Sequence, residues 1–584
     1  MSKIIVIAVS VDQISFVTHN NSMTKPRTIS SWFLASASFF LAVASDSSIC
    51  AADPAASEAV PLGDPQTLAA QPVKNDTGIN VLLDLAHQML FHTCWGLPPA
   101  LRERGLRVVG SQAALDTVLN REGRVRVRLP FGSERPFAWI PSPQFNVVLT
   151  IQPDPNAQPY LPEEIEAAQQ FVRDGGGLVM VGGSVPSEDQ ARNWPLNALA
   201  RAFGADISGQ ATALQGRTAA ALKLDGPWQV HLAGDNNARV VASREFGAGR
   251  VVVISDFDLI TWDSKVPPDS PRSRTKVSEF LADLIRVAAE GKKPVGGTTR
   301  LPMEAAGGGP IYPEQDLQVG DVLVMYAKNQ KPELVKTVVE DMPKVKEQVL
   351  NWFPSSQGGT TMNLILSAGG GGGWAVNAYK PEEVGIISLD KEGILSVFAH
   401  ELTHNLPGPP NDKGEQAGRL PGVFSEAHAG WYQGKIESLR TGDRGGHDPN
   451  RLFDFDQDGS GLDLANLKNG EMGRGWTKLW FIWQKLDERY GPTWYPRWMW
   501  VKNVRWQDDP NHRLTWDEVV EDMSIACGED LFPFFRKLGT TLGKERFPEA
   551  VFRGKRIVLP PATLAVERAG PARTEAIGDF RKLD

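Results

Sequence analysis

The chain has 584 residues, of which 41% are hydrophobic and 22% are charged, and its formal net charge is −8. This composition is ordinary for a globular protein of about two to four domains, and mixed charges without a basic run argue against a nucleic-acid-binding surface. The 3 cysteines argue against a disulfide framework, so packed cores must stabilise the fold.

Residues 1–52 have the pattern of an export leader. Basic residues precede an apolar run at 32–44, small residues follow it, and Met23 is a conventional start for such a signal peptide. The run is short for a membrane span, and no later stretch has the ~18 consecutive apolar residues of one. We therefore expect an exported protein (periplasmic, cell-surface or secreted) without an integral membrane segment after signal cleavage. The sequence does not indicate its oligomeric state.

A linker at 53–78 precedes a first domain at 79–291, in which strand and helix patterns alternate. Alternation of this kind predicts a mainly parallel sheet covered by helices on both faces. The predicted strands are 81–83, 145–149, 178–181 and 250–254, and the clearest predicted helices are 162–173 and 275–289.

The segment EEIEAAQQFVRDGGGLVMVGGS within this domain resembles the class I glutamine-amidotransferase-like fold, which is flavodoxin-like. The family places its catalytic cysteine on a turn between a strand and a helix. Here the corresponding turn reads Gly182-Gly183-Ser184, and the domain's cysteine, Cys94, lies elsewhere. We therefore expect a non-catalytic domain for docking or ligand binding, with Ser184 as a nucleophile the alternative.

A second linker at 292–312 leads to a second domain at 313–550, and a tail follows at 551–584. The run Gly369–Gly373 lies between two predicted strands of this domain and is interpreted as a loop, with a mobile flap beside an extended substrate as an alternative. A phosphate cradle is disfavoured because no Lys-Ser/Thr follows the glycines. The predicted strands are 322–326, 363–366 and 384–388, with a helix extending to about 353.

The stretch His400-Glu401-Leu402-Thr403-His404 is an HExxH motif. Residues four apart share a face of a helix, so both imidazoles can bind one metal ion. Glu401 is placed to take a proton from a water molecule that the metal activates. The surrounding apolar residues predict a buried helix, in which these polar groups are costly unless a metal satisfies them.

A catalytic zinc site needs a third protein ligand. Pro407 and Pro410 exclude a third histidine in the metzincin pattern. Glu426 is the preferred ligand because small neighbours would let its predicted helix approach the first. Glu415, in a Gly- and Pro-rich loop, and His428 are the alternatives. His428 is otherwise expected to orient a ligand, to stabilise an oxyanion, or simply to be exposed.

An HExxH followed by a helical glutamate is the gluzincin arrangement. The segments FAHELTHN, SEAHAGWY, KLWFIWQKLDERYG and DMSIACGEDLFPFFRKLG make the region 361–540 similar to the enhancin-like metallopeptidases, whose members often act on mucins or other glycoproteins. The resemblance implies zinc (Zn2+) bound by His400, His404 and Glu426, Glu401 as the general base, and a protein or glycoprotein substrate. A longer loop before Glu426 and the tail after 550 depart from the family.

Asp454, Asp456 and Asp458 alternate along an acidic stretch that ends at Gly459. This pattern opens an EF-hand loop, but Ala465 stands where the closing acid is expected. A structural calcium ion (Ca2+) and a solvated acidic turn therefore both remain open.

These patterns together predict an α/β and α+β protein, in which a flavodoxin-like parallel-sheet domain precedes a zincin-type metallopeptidase domain with a helical C-terminal part. The predicted function is an exported zinc metallopeptidase that hydrolyses peptide bonds. The alternative is a cell-surface or extracellular protein that binds glycoproteins without cleaving them. The intact Glu401 favours the enzyme, since a binding protein has no need of a general base.

Overall fold

The fold is described from a computed structural model. The residues described are 73, 75–90, 92–129, 136–183, 187–214, 217–290, 294–297, 301–302, 309–352, 362–369, 371–376, 381–388, 390–406, 420–448, 462–468, 470–508, 512–547, 550–552 and 555–557.

The first part of the chain alternates strands and helices, as its sequence predicts. Its strands are β1 (Asn80–Asp84), β2 (Arg107–Ser111), β3 (Arg124–Arg128), β4 (Phe137–Pro141), β5 (Gln144–Phe145), β6 (Val147–Ile151), β7 (Gly177–Val181), β8 (Ala205–Leu214), β9 (Arg217–Leu224), β10 (Gln229–Ala233), β11 (Arg239–Phe246), β12 (Gly249–Ile254) and β13 (Val295–Gly296). Its helices are α1 (Leu97–Arg102), α2 (Leu115–Leu119), α3 (Pro162–Arg173), α4 (Glu188–Asn193), α5 (Pro195–Arg201) and α6 (Arg274–Ala289).

The main sheet of this part has seven strands in the order β10-β11-β12-β7-β6-β1-β2. From β12 to β2 all neighbours run parallel, whereas β10, β11 and β12 are joined antiparallel. Counted along the chain, the five parallel strands follow the order 2-1-3-4-5 of flavodoxin-like sheets. Strands β1, β6 and β7 are buried along their whole length, which explains their continuous apolar sequences.

The second part combines a smaller sheet with a helical C-terminal region. Its strands are β14 (Gln315–Val319), β15 (Val322–Tyr326), β16 (Met362–Ser367), β17 (Gly372–Val376), β18 (Glu382–Ile387), β19 (Ala550–Phe552) and β20 (Lys555–Ile557). Its helices are α7 (Pro332–Glu340), α8 (Met342–Trp352), α9 (Lys391–Asn405), α10 (Val423–Thr441), α11 (Met472–Tyr490), α12 (Trp494–Asp508), α13 (Trp516–Cys527) and α14 (Phe532–Lys537).

The smaller sheet has five strands in the order β14-β15-β16-β18-β17. Strands β15, β16 and β18 are parallel, and the two edge strands β14 and β17 are antiparallel to their neighbours. The run Gly369–Gly373 was expected to be a loop or flap, but its last two glycines belong to β17, which begins at Gly372. The single helix expected up to about residue 353 is two helices, α7 and α8, which meet at Asp341.

One face of the smaller sheet packs on helices of the second part, and the other face packs on the first part. An apolar core joins strands β15, β16 and β18 to helices α7–α14. On the opposite face, Met325, Ile365, Trp374 and Ile387 share a core with residues of the larger sheet. The domain boundary expected at 292–312 stays a prediction, but apolar side chains from both sides of it lie in one cluster.

No helix among the described residues is both long enough and apolar enough for a membrane crossing.

Candidate metal centre

Helix α9, which follows strand β18 in the chain, carries the HExxH residues. Its N-terminus is fixed by Asp390, whose Oδ1 accepts a hydrogen bond of 2.7 Å from the Gly393 backbone N–H. One face of the helix is buried in the core, where Ile394, Leu395, Phe398 and Leu402 are at most 1% exposed. The helix is therefore held rigidly against the sheet.

Helix α10 lies alongside α9 and brings Glu426 to the two histidines. The Glu426 carboxylate is 3.3 Å from Nε2 of His400 and 3.5 Å from Nε2 of His404. One ligand atom from each of the three residues lies within 4.8 Å of the other two. Of the third ligands considered from sequence, the structure thus places Glu426 beside the histidines.

The charges of the three residues are strongly coupled. Burial opposes ionisation of His400, but its hydrogen bond to Glu426 and the nearby carboxylates raise its pKa. Burial lowers the pKa of His404 to about 4. Burial would raise the pKa of Glu426, but the hydrogen bond to His400 and the positive potential of both imidazoles lower it to about 2. A negative carboxylate therefore faces two imidazole nitrogens, which is the donor chemistry of a catalytic zinc site.

Two polar residues of α10 orient the imidazoles, and neither was recognised from sequence. Nδ1 of His400 is 2.9 Å from Oε1 of Gln433, and Nδ1 of His404 is 3.3 Å from the Ser425 hydroxyl. If each Nδ1–H donates to its oxygen partner, each Nε2 can offer its lone pair to a metal, and His400 does so on losing the proton that it shares with Glu426. The donor set therefore fits a divalent metal in ligand type and in the direction of its lone pairs.

Replacing Gln433 with alanine is expected to weaken zinc binding by about 10–100-fold, because the His400 ring loses the acceptor that fixes its tautomer and orientation. The measurement is competition with a chelator of known zinc affinity. Gln170→Ala, at an exposed position of helix α3, is the matched control and should bind zinc like the wild type. Equal zinc affinity in all three proteins would show that Gln433 does not orient the ligand.

The side chain of Glu401, on α9, faces edge strand β17. The residue is only 6% exposed, and burial raises the pKa of its carboxyl to about 7. A Cβ added at Gly373 would lie 2.6 Å from Cγ and 2.8 Å from Oε1 of Glu401, and 2.5 Å from the backbone oxygen of Gly385. Any side chain at position 373 would clash with these atoms. Glycine at this position therefore allows β17 to lie close to Glu401.

His428 is a core residue of α10. It is 3% exposed, its ring stacks on Trp483 at 5.2 Å, and its Nδ1 bonds to the Tyr495 hydroxyl. Burial lowers its pKa well below the ordinary value, so the ring is neutral. The expectation of an exposed histidine is wrong. A role in orienting a ligand or stabilising an oxyanion stays a prediction.

In the first part, Cys94 lies in a π-helical turn, His92–Gly96, and its thiol donates to the Leu90 backbone oxygen at 3.0 Å. Burial raises the pKa of this thiol well above its usual range, which does not suit a nucleophile. Four other expected site residues, and the alternative third ligand of the candidate metal site, lie outside the described residues. They are Ser184, Glu415, Asp454, Asp456 and Asp458.

The first part also contains a buried ion-pair network that sequence reasoning missed. His87 follows β1, with Nδ1 2.8 Å from Asp84 and Nε2 3.2 Å from Glu164. Burial opposes the charge on His87, but the two carboxylates outweigh it and raise its pKa to about 10. Glu164 also accepts backbone N–H groups of Leu115 and Leu161, each at 2.9 Å. All three charged side chains are at most 1% exposed, so the network ties β1, α2 and α3 together.

No family model matches this chain, and no curated protein matches it. Distant neighbours among solved structures include zinc metallopeptidases. Yeast LTA4 hydrolase in complex with bestatin is 11% identical, with 43% of this chain and 40% of that chain covered at a TM-score of 0.27. The M1 zinc metallopeptidase from Deinococcus radiodurans is 13% identical, with 41% and 53% covered at a TM-score of 0.26.

An exo-beta-1,4-mannosidase from Opitutaceae bacterium strain TAV5 is 16% identical, with 35% of each chain covered at a TM-score of 0.21. This chain thus spans about a third of the mannosidase. All three scores are too low to establish a shared fold or activity.

Proposed function

We propose that this protein is a zinc-dependent metallopeptidase of the gluzincin type, with a zincin domain in its second part. The main observation in support is that the imidazoles of His400 and His404 and the carboxylate of Glu426 converge. Their ligand atoms lie within 4.8 Å of one another, beside Glu401. Two imidazoles and one carboxylate match the protein ligands of catalytic zinc in peptidases.

The proposed reaction is hydrolysis of a peptide bond by water. His400, His404 and Glu426 would hold the zinc, which when bound supplies Lewis acidity and lowers the pKa of water to about 7. Glu401 can accept a proton from water and pass it to the leaving amine. Its burial against β17 keeps that carboxylate in one place.

Edge strand β17 favours a peptide as the substrate. Within the described residues β17 pairs only with β18, so its other edge has no strand partner there. An extended peptide can add to such an edge through backbone hydrogen bonds. Because Gly373 of this strand touches Glu401, a peptide on the edge would lie close to the proposed base.

The leader predicted at residues 1–52 supports export, so the proposed substrates are proteins or glycoproteins outside the cytoplasm, mucin-type glycoproteins among them. The test incubates the purified full chain with mucin-type glycoproteins and with a panel of unglycosylated proteins. We expect cleavage that a zinc chelator stops and that added zinc restores. Tight binding without cleavage would favour the alternative glycoprotein-binding function, and cleavage that survives complete zinc removal would contradict the proposal.

A further inference from the structure

Strand β17 lies between two parts of the chain. On one face Gly373 touches Glu401 of α9, and on the other face the Trp374 ring covers Gly385 of β18. A Cβ at Gly385 would meet that ring at 2.1 Å, so the ring lies flat on the sheet. Trp374 is 7% exposed and belongs to the apolar cluster shared with the first part. The position of β17 therefore depends on what covers Trp374.

Trp374 is tied to a buried carboxylate whose charge is balanced from the first part. Its indole Nε1–H donates to Glu383 of β18 at 2.8 Å, and Tyr312 also donates to Glu383. Arg128 of β3 forms an ion pair with Glu383 and donates to the Tyr312 hydroxyl at 2.8 Å. The side chains of Arg128 and Glu383 are 1% and 0% exposed. A buried carboxylate of this kind needs its cation.

Further residues of the first part contact the same region of the sheet. The Trp95 ring meets Trp374 edge-on, with centroids 6.4 Å apart. The Met89 backbone N–H donates to the backbone oxygen of Ala368, the residue that follows β16, at 2.7 Å. The Trp95 contact lies on the Trp374 face of the sheet, opposite the face on which Gly373 meets Glu401, so the first part supports β17 from that side.

We propose that Arg128 is a positioning residue for the candidate active site, acting through Glu383 and Trp374 on β17. The first part is thereby a structural component of the site and not a separate docking module. The effect on turnover rests on the proposed peptidase function. A small displacement of β17 would move both the strand edge that is proposed to bind substrate and Gly373, which contacts Glu401. Misplacement of reacting groups by about 1 Å can lower the rate about 100-fold.

The test compares Arg128→Met with Arg126→Met. Arg126 lies on the same strand and is also buried, but its partner Asp316 is on β14, at the sheet edge opposite β17. The measurements are kcat and KM separately, zinc content, and hydrogen–deuterium exchange of the segment 372–376. For Arg128→Met we expect faster exchange in that segment and kcat lowered by about 10–100-fold with zinc retained. Arg126→Met should leave exchange in β17 and kcat as in the wild type.

Two further variants keep the test decisive if Arg128→Met does not fold. The double variant Arg128→Met/Glu383→Gln removes both charges, and Trp374→Phe removes only the indole donor. Both should also loosen β17, and Arg128→Lys should restore part of the protection. Unchanged exchange at 372–376 in these variants, or a change equal to that of Arg126→Met, would overturn the proposal. Because exchange is read without substrate, it decides the inference even if no protein is cleaved.

Discussion

Glu401→Gln is expected to lower turnover by at least about 10²–10⁴-fold while leaving zinc content and fold unchanged. The amide has nearly the size of the carboxylate and fills the same space against Gly373, but it cannot accept a proton from water. The zinc ligands proposed from geometry do not include Glu401, so metal binding should survive. The measurements are kcat on a cleaved substrate, zinc per chain, and the melting temperature.

The matched control is Glu392→Gln in the first turn of the same helix. Glu392 is half-exposed and paired with Arg440, away from the three proposed ligands. The Glu392→Gln substitution should leave turnover unchanged and lower the free energy of unfolding by at most about 1 kcal/mol. Equal turnover in wild type and Glu401→Gln would move the chemistry elsewhere in the chain. Loss of zinc from Glu401→Gln would instead make Glu401 a ligand.

Alanine at His400, at His404 or at Glu426 is expected to remove most of the zinc from a protein that otherwise holds about one ion per chain. Each substitution deletes one of three donors that meet at a single point. Zinc at about 100 times its dissociation constant should stabilise the wild type by about 2.7 kcal/mol, and the variants should show little of this gain. Elemental analysis and thermal unfolding with and without zinc measure the two effects.

His231→Ala is the control for a histidine outside the site, and it should keep both the zinc and the stabilisation. Glu415→Ala tests the alternative third ligand in the loop before α10. Full zinc in Glu426→Ala together with zinc loss in Glu415→Ala would contradict the assignment of Glu426. Wild-type protein prepared without chelators that holds no zinc would contradict the metal centre itself.

The parts of the fold that sequence could predict are those governed by local periodicity. The four-residue spacing of His400 and His404 places both rings on one side of α9, whatever else surrounds the helix. The apolar run at 178–181 and the amphipathic pattern at 162–173 became β7 and α3 for the same reason.

The parts it missed depend on tertiary pairing. Gly372 and Gly373 have no strand preference of their own and extend only because they pair with β18. Gln433 reaches His400 only through the way α10 lies on α9, which periodicity does not specify. The pair of Arg128 and Glu383 joins residues 255 positions apart, beyond any local pattern.

That long separation has a consequence for how the chain is handled and synthesised. A fragment beginning after the predicted linker would keep Glu383 but lose its cation, and it would expose the apolar back of the smaller sheet to water. Such a fragment is a poor candidate for recombinant expression, because exposed apolar surface promotes aggregation. On the ribosome, by contrast, the first part emerges before the smaller sheet and can serve as the surface on which that sheet assembles.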